Sequence, residues 1–288
     1  MEKHDLLSNI HSNYRKMSKG QKRIADFIIS NYDKAAFMTA CKLGEHARVS
    51  ESTVVRFADS LGFDGYPRLQ KALQEMIRNK LTTVQRIELA SSDMDDSAIL
   101  HTVLKADMHN IRMTIDSIDE SQFEQAVESL FQANKVYILG LRSSAPLTQF
   151  LGYYLNFVLQ NVHVCTFGVS DIFEQLAPAT EKDVVIGISF PRYSTRTLEG
   201  VTFAKKRGVK VIAITDSNTS KIAGYADIVL TARSDMASFV DSLVAPLSLI
   251  NALIMAIGQR KKAEISKKFE ELENIWSEYK VYIERENS

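Results

Sequence analysis

The sequence predicts two structural parts: an all-α head that contains a helix-turn-helix, and an α/β domain with a doubly wound, five-stranded parallel sheet followed by C-terminal helices. Apolar residues recur at helical spacing over the first third of the 288-residue chain. From Lys135 onward the pattern changes to short β-branched runs that alternate with helical segments. The composition, 45% hydrophobic and 24% charged, is typical of a globular protein.

Charge and pattern together divide the chain into segments. We expect a helix-turn-helix domain at residues 1–80 and a linker with connecting helices at 81–134. An α/β ligand-sensing domain is expected at 135–260, and a C-terminal helix at 261–288. The first of these carries 14 Lys and Arg against 9 Asp and Glu, whereas the second carries 3 against 10. A basic head beside an acidic connector indicates that the head faces a polyanion, although the whole chain has a formal net charge of zero.

The helical part contains six predicted helices. Four lie in the head, at 20–30, 39–47, 51–61 and 66–80, and two follow a polar linker at 82–96, at 97–117 and 120–133.

The segment LGEHARVSESTVVRFADSL, residues 43–61, predicts two short helices around a tight turn. We expect the hydroxyl of Ser50 to cap the second helix. The apolar residues that lock the two helices together are Ala47, Val49, Val54, Val55 and Leu61.

The front of that second helix predicts DNA contacts. Ser52, Thr53 and Arg56 are expected to be exposed where a helix-turn-helix touches base edges in the major groove. Lys42 and Arg48 are expected to contact phosphates. The alternative is a plain helical bundle with a solvated charged face.

Five β-branched runs predict the sheet, at 135–139, 162–167, 183–189, 209–215 and 227–232. Because they are almost continuously apolar, we expect parallel strands that are covered on both faces. An apolar helix within 239–258 and an amphipathic one at 261–285 follow. The amphipathic helix at 261–285 has an apolar stripe that either pairs with a second copy of the chain or packs on its own domain. The stripe consists of Phe269, Leu272, Ile275, Trp276 and Tyr279.

Two loops at predicted strand ends are rich in hydroxyls. One is LGLRSSAP, residues 139–146, and the other is ISFPRYSTRTLEG, residues 188–200. Ligands of parallel sheets bind beyond the carboxyl ends of strands, and a helix start favours a phosphate or a carboxylate. Neither loop has the glycine spacing of a dinucleotide or Walker site, so a nucleotide is not supported. Each hydroxyl is alternatively a simple helix cap.

The N-terminal part resembles a known family. Residues 17–73, and above all VSESTVVRFADSLGFDGYPRL, are similar to the N-terminal domain of the RpiR family of bacterial transcriptional regulators. This resemblance extends over about residues 1–260 and implies a helical DNA-binding head joined to a sugar isomerase (SIS) domain. It also implies that Ser50, Ser52, Thr53 and Arg56 lie in or beside the recognition helix.

Both loops depart from the SIS pattern. The second loop of that family reads Ser-x-Ser-Gly-x-Thr and holds a sugar phosphate, but here 191–193 are inserted and Thr195 takes the place of the glycine. In the first loop Arg142 replaces the second glycine of Gly-x-Gly-x-Ser. Glycine permits a positive φ and a close backbone approach that Thr and Arg do not favour. We therefore expect arginines to hold the anion instead, with Arg196 either helping or pointing to solvent.

The predicted ligand-binding residues are Arg142, Ser143, Ser144, Ser189, Arg192, Tyr193, Ser194, Thr195 and Thr197. No catalytic set and no metal or cofactor site is predicted. His163 is expected in the core or at a sheet edge, and Asp171 and Glu174 either face solvent or bond ligand hydroxyls.

The resulting hypothesis is a ligand-responsive transcriptional regulator that binds double-stranded operator DNA, as an inverted repeat, and a small anionic metabolite, foremost a phosphosugar. The alternatives are a regulator of a non-sugar carboxylic acid and a sugar-phosphate isomerase. We expect a homodimer or tetramer, a cytoplasmic location, and no membrane partner. Cys41 and Cys165 are expected to be buried free thiols.

Overall fold

The computed structural model describes residues 6–77, 84, 86, 99–236 and 240–283. The chain divides into two compact units, Met1–Asp96 and Ser97–Ser288. The predicted linker at 82–96 lies almost wholly outside the described residues. Among the helices that the structure describes, none is both long and apolar enough to span a membrane.

The N-terminal unit is helical. Its helices are α1 (Leu6–Asn13), α2 (Lys19–Ser30), α3 (Tyr32–Ala35), α4 (Ala40–Ala47), α5 (Glu51–Ser60) and α6 (Gly65–Ile77). Side-chain caps determine where two of them begin: Ser18 forms a capping box with Gln21, and the hydroxyl of Thr39 accepts a hydrogen bond from the N–H of Lys42. The helices predicted at 20–30, 39–47 and 51–61 are confirmed to within a residue or two.

The core of this unit joins α2, α4, α5 and α6, through fully buried Ile24, Leu43, Phe57 and Leu69. The prediction that Val55 belongs to this core is wrong, because its side chain is 38% exposed. Residues 54, 57, 58 and 61 share the inward face of α5 at helical spacing, and position 55 lies a third of a turn away from it.

The C-terminal unit is built around one five-stranded parallel sheet in the order β2-β1-β3-β4-β5. Its strands are β1 (Val136–Leu139), β2 (Val162–Cys165), β3 (Val184–Ile188), β4 (Lys210–Thr215) and β5 (Ile228–Thr231). The predicted parallel sheet is therefore confirmed.

Helices surround this sheet. They are α7 (Ile99–Ile115), α8 (Glu120–Gln132), α9 (Ala145–Val158), α10 (Ile172–Leu176), α11 (Thr195–Lys206), α12 (Val244–Arg260) and α13 (Lys262–Glu278). One core contains Leu130, Leu151 and Leu253 from α8, α9 and α12. A second core, on the other side of the sheet, contains Leu176 and Val201 from α10 and α11. The sheet is thus covered on both faces, as a doubly wound domain requires.

The stripe of the last helix packs partly on its own domain. The ring of Phe269 lies 5.3 Å from that of Phe157 on α9, and Trp276 also contacts Phe157. Ile275 and Tyr279 remain exposed.

The two thiols differ. Cys165 is buried, and burial raises the pKa of its thiol to about 12. The prediction that Cys41 is buried is wrong, because α4 turns Leu43, Gly44 and Ala47 inward and leaves Cys41 on the outward face.

Candidate DNA-reading helix and ligand crevice

The turn between α4 and α5 depends on close backbone contacts. Arg48 has φ 54°, and the N–H of Val49 donates to the carbonyl of Gly44 at 2.8 Å. A Cβ on Gly44 would lie only 2.9 Å from the carbonyl oxygen of Val49, and backbone cannot easily move away. Glycine at position 44 therefore allows the two helices to cross closely.

Ser50 occupies the N-cap position of α5, but its expected capping hydrogen bond is absent. Its Oγ instead lies 3.0 Å from Oγ of Ser52 and 2.9 Å from Oγ1 of Thr53. The prediction that this hydroxyl caps the helix is wrong, because two neighbouring hydroxyls compete for it. The three hydroxyls form a small polar cluster at the start of α5.

Arg56 lies one turn further along the same face. Its Nε donates to the carbonyl of Ser52 at 3.2 Å, and its Nη2 lies 3.4 Å from Oγ of Ser52. Ser52, Arg56, Lys42 and Arg48 are exposed. The prediction that Thr53 is exposed as well is wrong: its side chain is partly buried, because its Cγ2 faces Gly20 on α2. The first half of α5 thus presents hydroxyls and a guanidinium to solvent, which are the groups that bond base edges.

Arg23 also approaches the turn, and the residue pattern did not indicate it. Its Nη1 donates to the carbonyl of Arg48 at 3.3 Å. Only the packing of α2 against α4 brings this cation to the turn.

The two predicted ligand loops meet at the carboxyl edge of the sheet. Strands β1 and β3 are neighbours, and the N–H of Leu141 donates to Oγ1 of Thr197 at 3.2 Å. A Cβ on Gly140 would lie 2.9 Å from the carbonyl oxygen of Ile188. Since β1 has β2 on its other side, the loops flank the point where the strand order reverses, where ligands of such sheets bind.

Two helices begin at this crevice. Ser194 caps α11, and its Oγ accepts a hydrogen bond from the N–H of Thr197 at 3.3 Å. Thr197 is fully buried, and its hydroxyl joins the two loops because it accepts the hydrogen bond from the N–H of Leu141. The 3₁₀ turn Arg142–Ser144 leads into α9. The first N–H groups of a helix generally lack a carbonyl partner within that helix, which favours an anion near such a start.

Two serine hydroxyls lie at the base of the loops. Ser144 and Ser189 are each only 3% exposed. Within the residues that the structure describes, neither Oγ has a hydrogen-bond partner. Each Oγ keeps some solvent-accessible surface although its residue is nearly buried, so both hydroxyls can bond water or a ligand. Ser143 and Thr195, by contrast, are exposed.

The arginines take the backbone conformation that we expected them to avoid. Arg142 has φ 59° and Arg192 has φ 65°. The prediction that arginine does not adopt the positive φ of the family glycine is therefore wrong, because the surrounding loop holds it there at an energetic cost. Arg142 is exposed and has no ionic or hydrogen-bond partner among the described side chains.

The inserted residues reach the next strand. The hydroxyl of Tyr193 donates to Oδ1 of Asp216 at 2.7 Å, just beyond the end of β4. Asp216 was not among the predicted site residues. Its position directly after a β-branched run is the signal that would have indicated it.

The remaining polar residues near the crevice have partners of their own. Arg196 pairs with Glu199 at 3.2 Å and approaches Asp171 at 3.8 Å. Asp171 and Glu174 form the capping box of α10. His163 is exposed on the edge strand β2, and its ring lies 5.8 Å from that of Tyr137.

Comparison with known proteins agrees with both units. The model of the helix-turn-helix domain of the rpiR family matches residues 4–80, and that of the SIS domain matches residues 129–256. The sugar isomerase domain of an RpiR transcription factor from Sphaerobacter thermophilus is 30% identical, with a TM-score of 0.59, over 62% of this chain and 99% of that one.

Two further relatives cover both units. An uncharacterized HTH-type transcriptional regulator of Haemophilus influenzae is 29% identical over 235 residues, which is 78% of this chain and 79% of that protein. The Vibrio vulnificus NanR protein, complexed with ManNAc-6P, has a TM-score of 0.59 at 20% identity and covers 95% of this chain and 98% of that one. At that identity NanR supports the fold alone.

The fold and its two sites define a two-unit protein, a helix-turn-helix head followed by an SIS domain. The chain belongs to the RpiR family of transcriptional regulators.

Proposed function

We propose that this regulator binds operator DNA through α5 and an anionic metabolite, a phosphosugar, in the crevice between the loops after β1 and β3. The observation that carries the ligand proposal is that Ser144 and Ser189 are nearly buried residues whose hydroxyls lack a partner among the described residues. They lie on the two loops from which α9 and α11 begin.

A phosphate suits this crevice for two reasons. Its oxygens accept hydrogen bonds from hydroxyls and from the free N–H groups of helix starts, and its charge is favoured by the helix dipoles. The exposed hydroxyls of Ser143 and Thr195, with Tyr193, are in reach of the sugar part of the ligand in this proposal. The complex of NanR with ManNAc-6P supports a phosphosugar on the same fold.

A non-sugar carboxylic acid is a second candidate ligand, and one observation favours it. The unpaired guanidinium of Arg142 stands where a compact glycine turn would otherwise expose backbone N–H groups. A guanidinium holds a carboxylate as well as a phosphate in a two-pronged contact. The two candidates separate in a thermal-shift panel, since stabilisation grows as RT ln(1 + [L]/Kd) for the ligand that binds.

The DNA proposal rests on the exposed first half of α5. Ser52, Thr53 and Arg56 read base edges, with Ser50 beside them, while Lys42 and Arg48 contact phosphates. A homodimer in the cytoplasm would place two heads on an inverted repeat with half-sites about one DNA turn apart. The ligand acts by favouring one placement of the two heads over another.

The test is to sequence the genomic fragments that the purified protein retains at physiological salt, because non-specific phosphate binding weakens steeply with salt. We expect a few fragments that share an inverted repeat. The amount of these fragments that the protein retains should change when the phosphosugar or acid that raises its Tm is added. If no fragment is enriched under any of these conditions, the proposal is wrong.

A further inference from the structure

The loop after β4 adds an acidic group to the carboxyl edge of the sheet. The N–H of Ser189, at the base of the second ligand loop, donates to the carbonyl of Ile214 at 3.1 Å, so the ends of β3 and β4 lie side by side. Asp216 is the second residue beyond that carbonyl. Neighbouring strands lie about 4.8 Å apart, so a small ligand anchored at the loop after β3 is within reach of Asp216.

The carboxylate of Asp216 is compensated only by neutral groups. Its Oδ1 accepts hydrogen bonds from the phenol of Tyr193 at 2.7 Å and from Oγ1 of Thr215 at 3.3 Å. Within the part of the chain that the structure describes, Oδ2 accepts no hydrogen bond, and no Lys or Arg pairs with this carboxylate. The side chain is half-buried, so Oδ2 is an acceptor that water or a ligand can use.

The negative charge of Asp216 has no evident structural task. An aspartate after a strand commonly accepts a backbone N–H from the following turn. Here Ser217 takes that part, because its Oγ accepts from the N–H of Thr219 at 3.2 Å. The phenol of Tyr193 needs only an acceptor, and an uncharged amide would supply one equally well. The turn and the position of Tyr193 therefore explain an oxygen at this place but not a charge.

We propose that Asp216 selects the end of the ligand that lies away from the anion, and that it takes a polyhydroxylated phosphate ester rather than a phosphate ester that carries a second acid group. This inference rests on the proposed function, because it requires a phosphate at the helix starts after β1 and β3. A carboxylate accepts strong hydrogen bonds from hydroxyls. A second acid group brought to the same place would be repelled, since like charges in a half-buried site interact strongly.

The inserted residues connect the two ends of this site. Ser194 caps α11, where the phosphate is proposed to bind, and the preceding residue, Tyr193, extends to Asp216 beyond the end of β4. Because the phenol occupies Oδ1, Oδ2 is the oxygen left for ligand hydroxyls. Tyr193 is thus a positioning residue, and Asp216 is the residue that contacts the ligand.

The test compares two small phosphate esters that differ in their second functional group. Glycerol phosphate carries hydroxyls, phosphoglycolate carries a carboxylate, and inorganic phosphate serves as the reference. The Tm of the full chain is measured against the concentration of each probe at constant ionic strength, since stabilisation grows as RT ln(1 + [L]/Kd). The native chain should bind glycerol phosphate about tenfold more tightly than phosphoglycolate.

Asp216→Asn removes the charge and keeps an acceptor for the phenol of Tyr193. It should weaken binding of glycerol phosphate about fivefold, strengthen that of phosphoglycolate by a similar factor, and leave the Kd of inorganic phosphate within about twofold. The matched control is Glu181→Gln, which removes one negative charge just before β3, at the opposite edge of the sheet, and should change none of the three. Tyr193→Phe should bind glycerol phosphate more weakly but keep the native preference.

Three results would overturn the inference while the proposed phosphate site stands, because inorganic phosphate still binds. The native chain binds phosphoglycolate as tightly as glycerol phosphate; or Asp216→Asn keeps the native preference, so that Asp216 only holds Tyr193; or the preference is lost in Tyr193→Phe alone, so that the phenol is the selecting group. If none of the three probes shifts the Tm of the native chain, the proposed phosphate site is itself wrong, and this inference is wrong with it.

Discussion

The N–H of Leu141 donates a 3.2 Å hydrogen bond to Oγ1 of Thr197, and this bond joins the loops that follow two neighbouring strands of the sheet. Both groups are buried, so water cannot replace either of them. The bond holds together the start of the first loop and the first turn of α11. The geometry of the candidate ligand crevice therefore depends on Thr197, whose hydroxyl already accepts the hydrogen bond from Leu141.

Thr197→Val removes that hydroxyl while keeping the shape of the side chain. The N–H of Leu141 is then buried without a partner, which should lower the free energy of unfolding by about 1–3 kcal/mol. Chemical denaturation measures this change. Thr195→Val is the matched control, because Thr195 is exposed and should lose less than about 0.5 kcal/mol. Equal losses in the two variants would contradict the role of the Leu141–Thr197 bond.

Arg142 should show opposite effects on stability and on binding. Arg142→Gly relieves the left-handed conformation at φ 59° and should raise the free energy of unfolding by about 0.5–1 kcal/mol. It should also weaken binding of the anionic ligand, because the guanidinium is lost. Arg142→Ala should weaken binding equally without the gain in stability. Calorimetric titration with the ligand found by thermal shift provides the measurement, and unchanged affinity in both variants would remove Arg142 from the site.

Arg56 should matter for DNA sequence recognition rather than for folding. Arg56→Ala should weaken operator binding by about 1–3 kcal/mol and relax specificity at one base pair. The free energy of unfolding should change by less than about 0.5 kcal/mol, since the side chain is exposed. Fluorescence anisotropy with operator variants measures the effect.

Lys42→Ala is the comparison for Arg56→Ala, because we expect Lys42 to contact phosphate. It should weaken binding to all sequences alike. It should also reduce the slope of log K against the logarithm of salt concentration by about one, because one phosphate contact is lost. If Arg56→Ala behaves in the same way, or unfolds the N-terminal unit, Arg56 does not read bases.

Gly44→Ala should destabilise the N-terminal unit. Its new Cβ would lie 2.9 Å from the carbonyl oxygen of Val49, and separating α4 from α5 to relieve that contact should cost about 1–3 kcal/mol. Gly20→Ala is the control, since its Cβ would meet side chains rather than backbone, Cγ2 of Thr53 at 3.2 Å and Cγ1 of Val49 at 3.6 Å, and side chains can shift. Thermal melts followed by circular dichroism separate the two, and a similar Tm for both would refute the close-crossing explanation.

Asp227 should make stability depend on acid pH. Burial raises the pKa of its carboxyl, but hydrogen bonds from Lys205 and from the N–H of Val211, together with the charges of Lys205 and Lys210, lower it below 3.8 overall. A lowered pKa in the folded state gives stability that is present at neutral pH and is lost as pH falls below 3.8.

Asp227→Asn should therefore lower the free energy of unfolding by about 1 kcal/mol at pH 7, a modest value because the side chain is 36% exposed. The gap between variant and native protein should close as pH falls below 3.8. Glu181→Gln, at an exposed position, is the control and should change the free energy of unfolding at pH 7 by less than about 0.5 kcal/mol. A gap that persists in acid would contradict the ionic origin of the effect.

Local pattern was sufficient for much of the fold. The strands at 184–188 and 210–215 and the helices around the turn at 48–50 follow from apolar periodicity, because the period of burial is a property of the nearby sequence. The two candidate ligand loops were predicted to be neighbours for the same reason, since parallel strands all end at one edge of the sheet.

Local pattern was insufficient for the partners of individual side chains and for single backbone angles. Nothing near Ser50 indicates that its hydroxyl bonds to Thr53 rather than to the backbone, and nothing near Arg142 indicates φ 59°. The sequence near α7 predicts its inward face even less well. The polar Asn110 is buried because the backbone of Asp235, 125 residues away, supplies both of its hydrogen-bond partners.

The sequence by itself determined the two-part organisation, the order of helices and strands, and the pair of hydroxyl-rich loops, because each depends on residues within about one turn or one strand. Only the tertiary structure decided that Leu141 and Thr197 join those loops, that Ser144 and Ser189 are buried without a described partner, and that α7 buries the polar Asn110. These features depend on which strands are neighbours and which backbone groups need partners, and both are settled only when the sheet has formed.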